Sequence, residues 1–274
     1  MESIGRLIAE GADIQADNNK ALRIAIQKNH PEAIEILLEK GGTNRNDPEV
    51  ALAAHAALGN TEKVKELLAE GADIHAHNEY ALRYAARNGY KKTVEVLIQN
   101  GADIKGKNNF SIRAAALTGN HETVKVLLDN GADIHADNDA ALDYAAGGGH
   151  TETVKLLLEN GADINARADS NLTWAARWGH KDTVRVLLER GSKGDKNKAL
   201  SKAARGNHAE TAQALLDYGA DIHANEDEAL RVGASQGADK TIKVLLKNGA
   251  DINAKDSSPI GLAIAAGEVN TVKL

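Results

Sequence analysis

Cysteine is absent from this chain, which excludes disulfides and thiolate metal sites and fits a reducing compartment. Aromatic residues amount to 3%, with a single Phe, so the core has to be assembled from Ala, Leu, Val and Ile. No apolar run approaches the ~20 residues that a membrane-crossing helix needs. The opening stretch, MESIGRLIAEGADI, lacks the basic region and apolar run of a secretory signal. Basic residues number 33 against 39 acidic ones, for a net charge of -6, which gives no general attraction to phosphate backbones. These absences predict a soluble, intracellular, cytoplasmic protein with no membrane or nucleic-acid partner.

What the sequence does have is a period. Gly-Ala-Asp-Ile recurs at Gly11, Gly71, Gly101, Gly131, Gly161, Gly219 and Gly249, and degenerate copies at Gly41 and Gly191 fill the gaps. Successive units are 30 residues apart, except that Gly191 to Gly219 is 28. A fixed period of this size implies stacked supersecondary units, each too small to bury its apolar face alone. The whole chain, residues 1–274, therefore reads as one array of about eight full repeats, partial at both ends.

Two amphipathic blocks make up each unit. The second carries Val94, Val96, Leu97 and Ile98, repeated as Val124, Val126, Leu127 and Leu128 and as Val184, Val186, Leu187 and Leu188. This is the i, i+3, i+4 stripe of a helix with one buried face. The first block, Ala141-Leu142 followed by Ala145-Ala146, recurs as Ala81-Leu82 and Ala85-Ala86, and its small residues allow close helix approach. Allowing for the two residues missing after Gly191, only Gly or Asn stands eighteen residues after each leading Gly, from Asn29 and Gly59 through Gly179, Asn207 and Gly267. Both residues tolerate positive φ, which marks a helix C-terminus. Asn78, Asn108, Asn138 and Asp169 precede the first helix and are expected to cap it. The segment from Ile134 to Asn138 is expected to be an extended connector.

The pattern Gly-His-x-x-x-Val-x-x-Leu-Leu-x-x-Gly-Ala-Asp-Ile, as in Gly149 to Ile164, resembles the ankyrin repeat along essentially the whole chain. The expected fold is all-α, an ankyrin-type solenoid of helix-turn-helix repeats with short connecting loops or stubby hairpins. Two departures stand out. The family's unit is about 33 residues, so three are missing from the connector here. The family's Thr-Pro-Leu-His helix entry is mostly Ala-Ala-Leu-Asp or Tyr-Ala-Leu-Arg, and only Ser258-Pro259-Ile260-Gly261 comes near it. The 30-residue variant is similar to ankyrin proteins of giant DNA viruses. Aligning the ends places Met1 and Leu274 within second helices, leaving Ile4, Leu7 and Ile8 at one end and Leu262, Val272 and Leu274 at the other uncapped. Fraying, partner contact or a longer native chain is expected there.

No chemistry-bearing motif stands. Gly101-x4-Gly106-Lys107-Asn108 has Asn where a phosphate-binding loop needs Ser or Thr, and it follows a helix. Gly147-Gly148-Gly149 closes a helix. His75-Ala76-His77 lacks a third ligand, and His135 and His223 repeat its first His at the same unit position. His150, His180 and His208 follow turn residues and are expected to bond the adjacent loop. Asn109-Phe110-Ser111 and Asn171-Leu172-Thr173 spell glycosylation acceptors that matter only on secretion. No nucleophile, base and orienting partner converge, and no catalytic residue, metal or cofactor is expected.

One band of first-helix positions is rich in the residue types of binding hot spots, Tyr, Trp and Arg. It comprises Arg23, Tyr80, Arg83, Tyr84, Arg87, Phe110, Arg113, Leu117, Asp143, Tyr144, Trp174, Arg177, Trp178 and Arg231. The resemblance implies protein–protein recognition, and the band is expected on the concave face, centred on Tyr80 to Trp178. A structural spacer that self-associates end to end is the first alternative. A substrate adaptor for a host ubiquitin ligase is the second.

Overall fold

Helix pairs form here because two glycine-type stops divide every repeat. A computed structural model of the protein describes residues 2–41, 47–253, 259–267 and 271. At the end of a second helix, Gly71 adopts φ +93°; its N–H donates to the Leu68 carbonyl and that of Ala72 to the Leu67 carbonyl, at 3.1 and 3.0 Å. At the end of a first helix, Gly89 adopts φ +76°, and Gly89 and Tyr90 donate to Ala86 and Ala85 at 3.2 and 3.0 Å. Both ends are Schellman closures, which satisfy carbonyls that a helix leaves open and require a left-handed residue. Asn29 and Asn207 take that role at φ 56°.

The chain forms two compact units, Met1–Ala136 and Asp137–Leu274. In the first, the helices are α1 (Glu2–Ala9), α2 (Ala16–Gln27), α3 (Pro31–Glu39), α4 (Pro48–Leu58), α5 (Thr61–Ala69), α6 (Ala76–Arg87), α7 (Lys91–Gln99), α8 (Gly106–Leu117) and α9 (His121–Asp129). Within it first helices stack on first helices, α4 on α6 and α6 on α8, and second helices on second, α5 on α7 and α7 on α9. The second unit holds α10 (Ala136–Gly147), α11 (Thr151–Glu159), α12 (Ala168–Arg177), α13 (Lys181–Glu189), α14 (Lys196–Arg205), α15 (Ala209–Asp217), α16 (Ala224–Ser235), α17 (Asp239–Lys247) and α18 (Pro259–Ala265). There α14 packs between α12 and α16, and α15 between α13 and α17. The expected stripes are the core: Val94, Leu97, Val184 and Leu187 are fully buried, as are Ala85, Ala86, Ala175 and Ala176.

The described residues contain no strand and no hairpin; the connectors are loops. Their course differs from the extended segment expected from sequence. His77, Asn78 and Glu79 all have positive φ, and so do Lys107–Asn109, Asp137–Asp139 and Asn225–Asp227. Each triplet is a left-handed turn that reverses the chain within three residues, which is how a repeat three residues short still returns to its register. Non-glycine residues are costly there, about 1–2 kcal/mol each, although Asn and Asp tolerate it best. Asn78, Asn108 and Asn138 are therefore turn residues and not helix caps. Asp169 lies inside the first turn of α12, where its Oδ1 accepts the Asp195 N–H at 2.9 Å.

In three of the four triplets the third residue ties repeats together. It is buried, and Asn109 Oδ1 accepts the N–H of Asp133 at 2.8 Å. Asp139 and Asp227 accept from Asp163 and Asp251 in the same manner, at 2.9 Å each. Asp133, Asp163 and Asp251 thus have two fixed bonds each, because their own carboxylates accept a backbone N–H two residues on, at 3.0, 2.8 and 2.8 Å. Glu79 is one methylene longer than these partners, and the neighbouring repeat makes room. Position 106 is Gly where other repeats carry Ala, and a Cβ there would stand 2.8 Å from Glu79 Cγ.

In the N-terminal repeat, Ile4, Leu7, Ile8, Ile14 and Ile24 line an open apolar cleft, with Leu7 57% exposed. Val272 and Leu274 lie outside the described residues.

Candidate interaction surface

Side chains of the first-helix band are set by what the preceding repeat offers them. In the first unit α4 offers the small residues Ala53, Ala54 and Ala57, and Tyr80 and Tyr84 lie in one apolar cluster with them. The two rings meet edge to face at 4.7 Å between centroids, a favoured aromatic geometry. Arg83 lies 5.6 Å from the Tyr80 ring and 4.4 Å from the Phe110 ring, which makes a cation–π layer. Burial holds the Arg83 guanidinium below its usual pKa. Burial, followed by the neighbouring Tyr80 phenol, pushes the Tyr84 phenol up to about 12. Tyr80, Arg83 and Tyr84 are 8%, 7% and 8% exposed, so these three are packing residues and not an open surface.

The rest of the first unit's band is partly covered. Phe110 is half-buried beneath Arg83 and Arg113. Arg23 donates to the Asp17 carbonyl at 2.9 Å, so its head closes the left-handed turn. Arg87 donates to the Gln27 carbonyl at 3.3 Å, while its own carbonyl accepts from Thr118 and Asn120. Leu117 stands 49% exposed.

The second unit presents its part of the band differently. Trp174 and Trp178 are 43% and 56% exposed, and the Arg177 guanidinium sits 5.4 and 5.6 Å from their ring centroids. The three alternate along the C-terminal turn of α12 as one amphipathic ridge. Gly147 lies beneath the Trp174 Cβ and supplies no side chain to cover the indole. An open cleft runs beside the ridge, lined by Asp169, Thr173, Trp174, Arg177, Lys198 and Lys202. Asp143 is buried with its Oδ2 3.6 Å from Arg167, and Tyr144 is half-buried. Arg231 is spent on the turn before it, donating to the Asn225 and Glu226 carbonyls at 2.8 and 3.1 Å.

Lys198 was missed by sequence reasoning. The signal was available: the two-residue deletion after Gly191 moves Lys198 into the register of Tyr80 and Phe110.

The histidines serve the loops. His180 and His208 Nε2 sit 3.1 and 3.0 Å from the carbonyls of Gly147 and Arg177. Burial lowers the pKa of His180, opposed in part by that hydrogen bond. His75 instead pairs its Nδ1 with the buried Glu79 carboxylate at 2.6 Å, which raises its pKa. His223 and Asp227 repeat the arrangement at 3.2 Å. Among the described residues no group of acidic, His or Cys side chains is arranged to hold a metal ion.

The family model described as ankyrin repeats (3 copies) matches four overlapping windows, residues 42–108, 82–168, 111–198 and 172–256. The chain belongs to the ankyrin repeat family. Its fold is similar to the crystal structure of the human ASB11 ankyrin repeat domain, with a TM-score of 0.65 and 26% identity over 73% of this chain and 98% of that one. No curated protein matches the chain. Ankyrin repeats are generally protein–protein interaction modules. Among the described residues no helix is long and apolar enough to cross a membrane.

Proposed function

We propose that this ankyrin array is a non-catalytic recognition module that holds a protein partner on the face formed by its first helices. The observation that carries the reading is the exposed Trp174–Arg177–Trp178 ridge. The chain has only two Trp residues, and both stand in solvent on the same turn, where burial would be worth most. Indole rings carry a large apolar surface and a polar edge, and they dominate interface energetics when a partner covers them. Fold alone does not assign function; this ridge and the general role of the family support the reading.

The test is capture of cellular partners by the full chain, with chemical crosslinking and mass spectrometry to place the contact. Trp174→Ala with Trp178→Ala should abolish capture and leave helicity unchanged, because neither ring supports the core. Retained capture, or crosslinks confined to second helices, would move the interface elsewhere.

A further inference from the structure

The cleft beside the tryptophan ridge has a charge opposite to that of the protein. Three cations line it, Arg177, Lys198 and Lys202, against one carboxylate, in a chain whose net charge is -6. That carboxylate, Asp169, is already engaged by the Asp195 N–H. Lys198 is exposed and Lys202 half-buried, one turn apart on α14, so both ammonium groups reach the same side. Across from them stand the Trp174 indole and the Arg177 guanidinium, on the helix that α14 packs against.

From this juxtaposition we infer that the cleft takes an acidic peptide segment of the partner, its carboxylates on Lys198, Lys202 and Arg177 and an apolar side chain against Trp174. The inference rests on the recognition reading above and narrows it to one class of ligand. Charge complementarity of this kind sets partner choice and approach rate more than raw affinity. Single-stranded nucleic acid is the competing occupant, since it also seeks cations beside aromatic rings. Two observations disfavour it. Arg177 already lies against both indoles, which competes with base stacking, and three cations beside a carboxylate are too few to follow a phosphate backbone.

Because Trp174 and Trp178 are the chain's only tryptophans, fluorescence excited selectively in tryptophan reports on this site alone. The full chain is titrated with a short peptide of glutamates around a central leucine, with the lysine analogue, and with oligothymidylate of equal length. The acidic peptide should shift the emission saturably and bind more weakly as salt rises. Lys198→Glu with Lys202→Glu should weaken it about tenfold, the sum of two partly exposed ion pairs. Lys198→Gln with Lys202→Gln should weaken it less and at full helicity, which separates charge from folding. An unshifted emission, equal binding by the reversed-charge variant, or oligothymidylate binding as tightly as the peptide would overturn the inference. If cellular capture is lost in the tryptophan variant but intact in both lysine variants, the acidic ligand is wrong and the recognition surface stands. If neither set affects capture, both fail.

Discussion

The two units put an aromatic ring at the same register of a first helix, Tyr84 in one and Trp174 in the other, and dispose of it in opposite ways. Tyr80, Arg83 and Tyr84 are under a tenth exposed, whereas Trp174 and Trp178 stand about half exposed. The difference lies in the neighbours. In the first unit the repeat behind offers Ala53, Ala54 and Ala57, and the one ahead offers Phe110, so rings and guanidinium interleave. In the second, the residue behind Trp174 is Gly147 and those ahead are Lys198 and Lys202, which line a cleft and do not fill it. A hot-spot composition is thus compatible with a locked layer or with an open surface, and the adjacent repeat decides which.

The contrast breaks first at Tyr84. Tyr84→Ala removes a buried ring and is expected to cost roughly 3 kcal/mol or more, read as a lower denaturation midpoint. Trp174→Ala removes a half-exposed ring and is expected to change stability by no more than about 1 kcal/mol. Comparable losses would show that the two layers are packed alike.

A smaller effect is expected at the Glu79–Gly106 pair. Gly106→Ala forces a Cβ against Glu79 Cγ and is expected to cost about 1–3 kcal/mol by overpacking. Glu79→Asp, the residue that two other repeats use there, should relieve most of that cost in the double variant, so the two changes are non-additive. Additive losses would mean that the glycine is needed for another reason.

The smallest effects are set by pH and differ in sign between His75 and His180. Glu79 raises the His75 pKa, so this pair's contribution is complete below the ordinary His value near 6.5 and is lost as pH rises through the folded value. Burial lowers His180, so the neutral ring's contribution is complete above that ordinary value and is lost as pH falls through it towards the folded one. His55 in the first unit shifts downward with His180, again chiefly by burial. Melting of the full chain should therefore show His75→Gln losing more stability at pH 5.5 than at pH 8, about as much as a partly exposed pair allows. His180→Asn should flatten the acid side of the profile, since Asn120 already makes the equivalent bond to a carbonyl, at 2.9 Å. An unchanged pH profile in either variant would remove that residue from the balance.

Much of the fold was legible in the sequence because its determinants are local and repeated. A Gly or Asn at two fixed positions has no good use except a left-handed helix end, and the Val and Leu stripes leave one face to bury. The connectors were misjudged because Asn before a helix serves equally well as a cap or as a left-handed turn. Only the missing three residues separate the two, through the tight reversal they force. The band was half legible. Composition pointed to it, but whether Tyr84 or Trp174 is covered depends on the size of side chains about 30 residues away, and that is a property of the stack.

The turn glycines carry a consequence for how the chain is made. The space above Gly59 is occupied by the Tyr90 ring, above Gly89 by Asn120, above Gly149 by His180 and above Gly179 by His208. Each of these four turns is therefore roofed by a residue about one repeat downstream. A nascent chain leaving the ribosome always ends in a turn without its roof, and order is completed from the N-terminal side one repeat behind synthesis. A C-terminal truncation at a repeat boundary should accordingly loosen the last retained repeat more than an N-terminal truncation loosens the first.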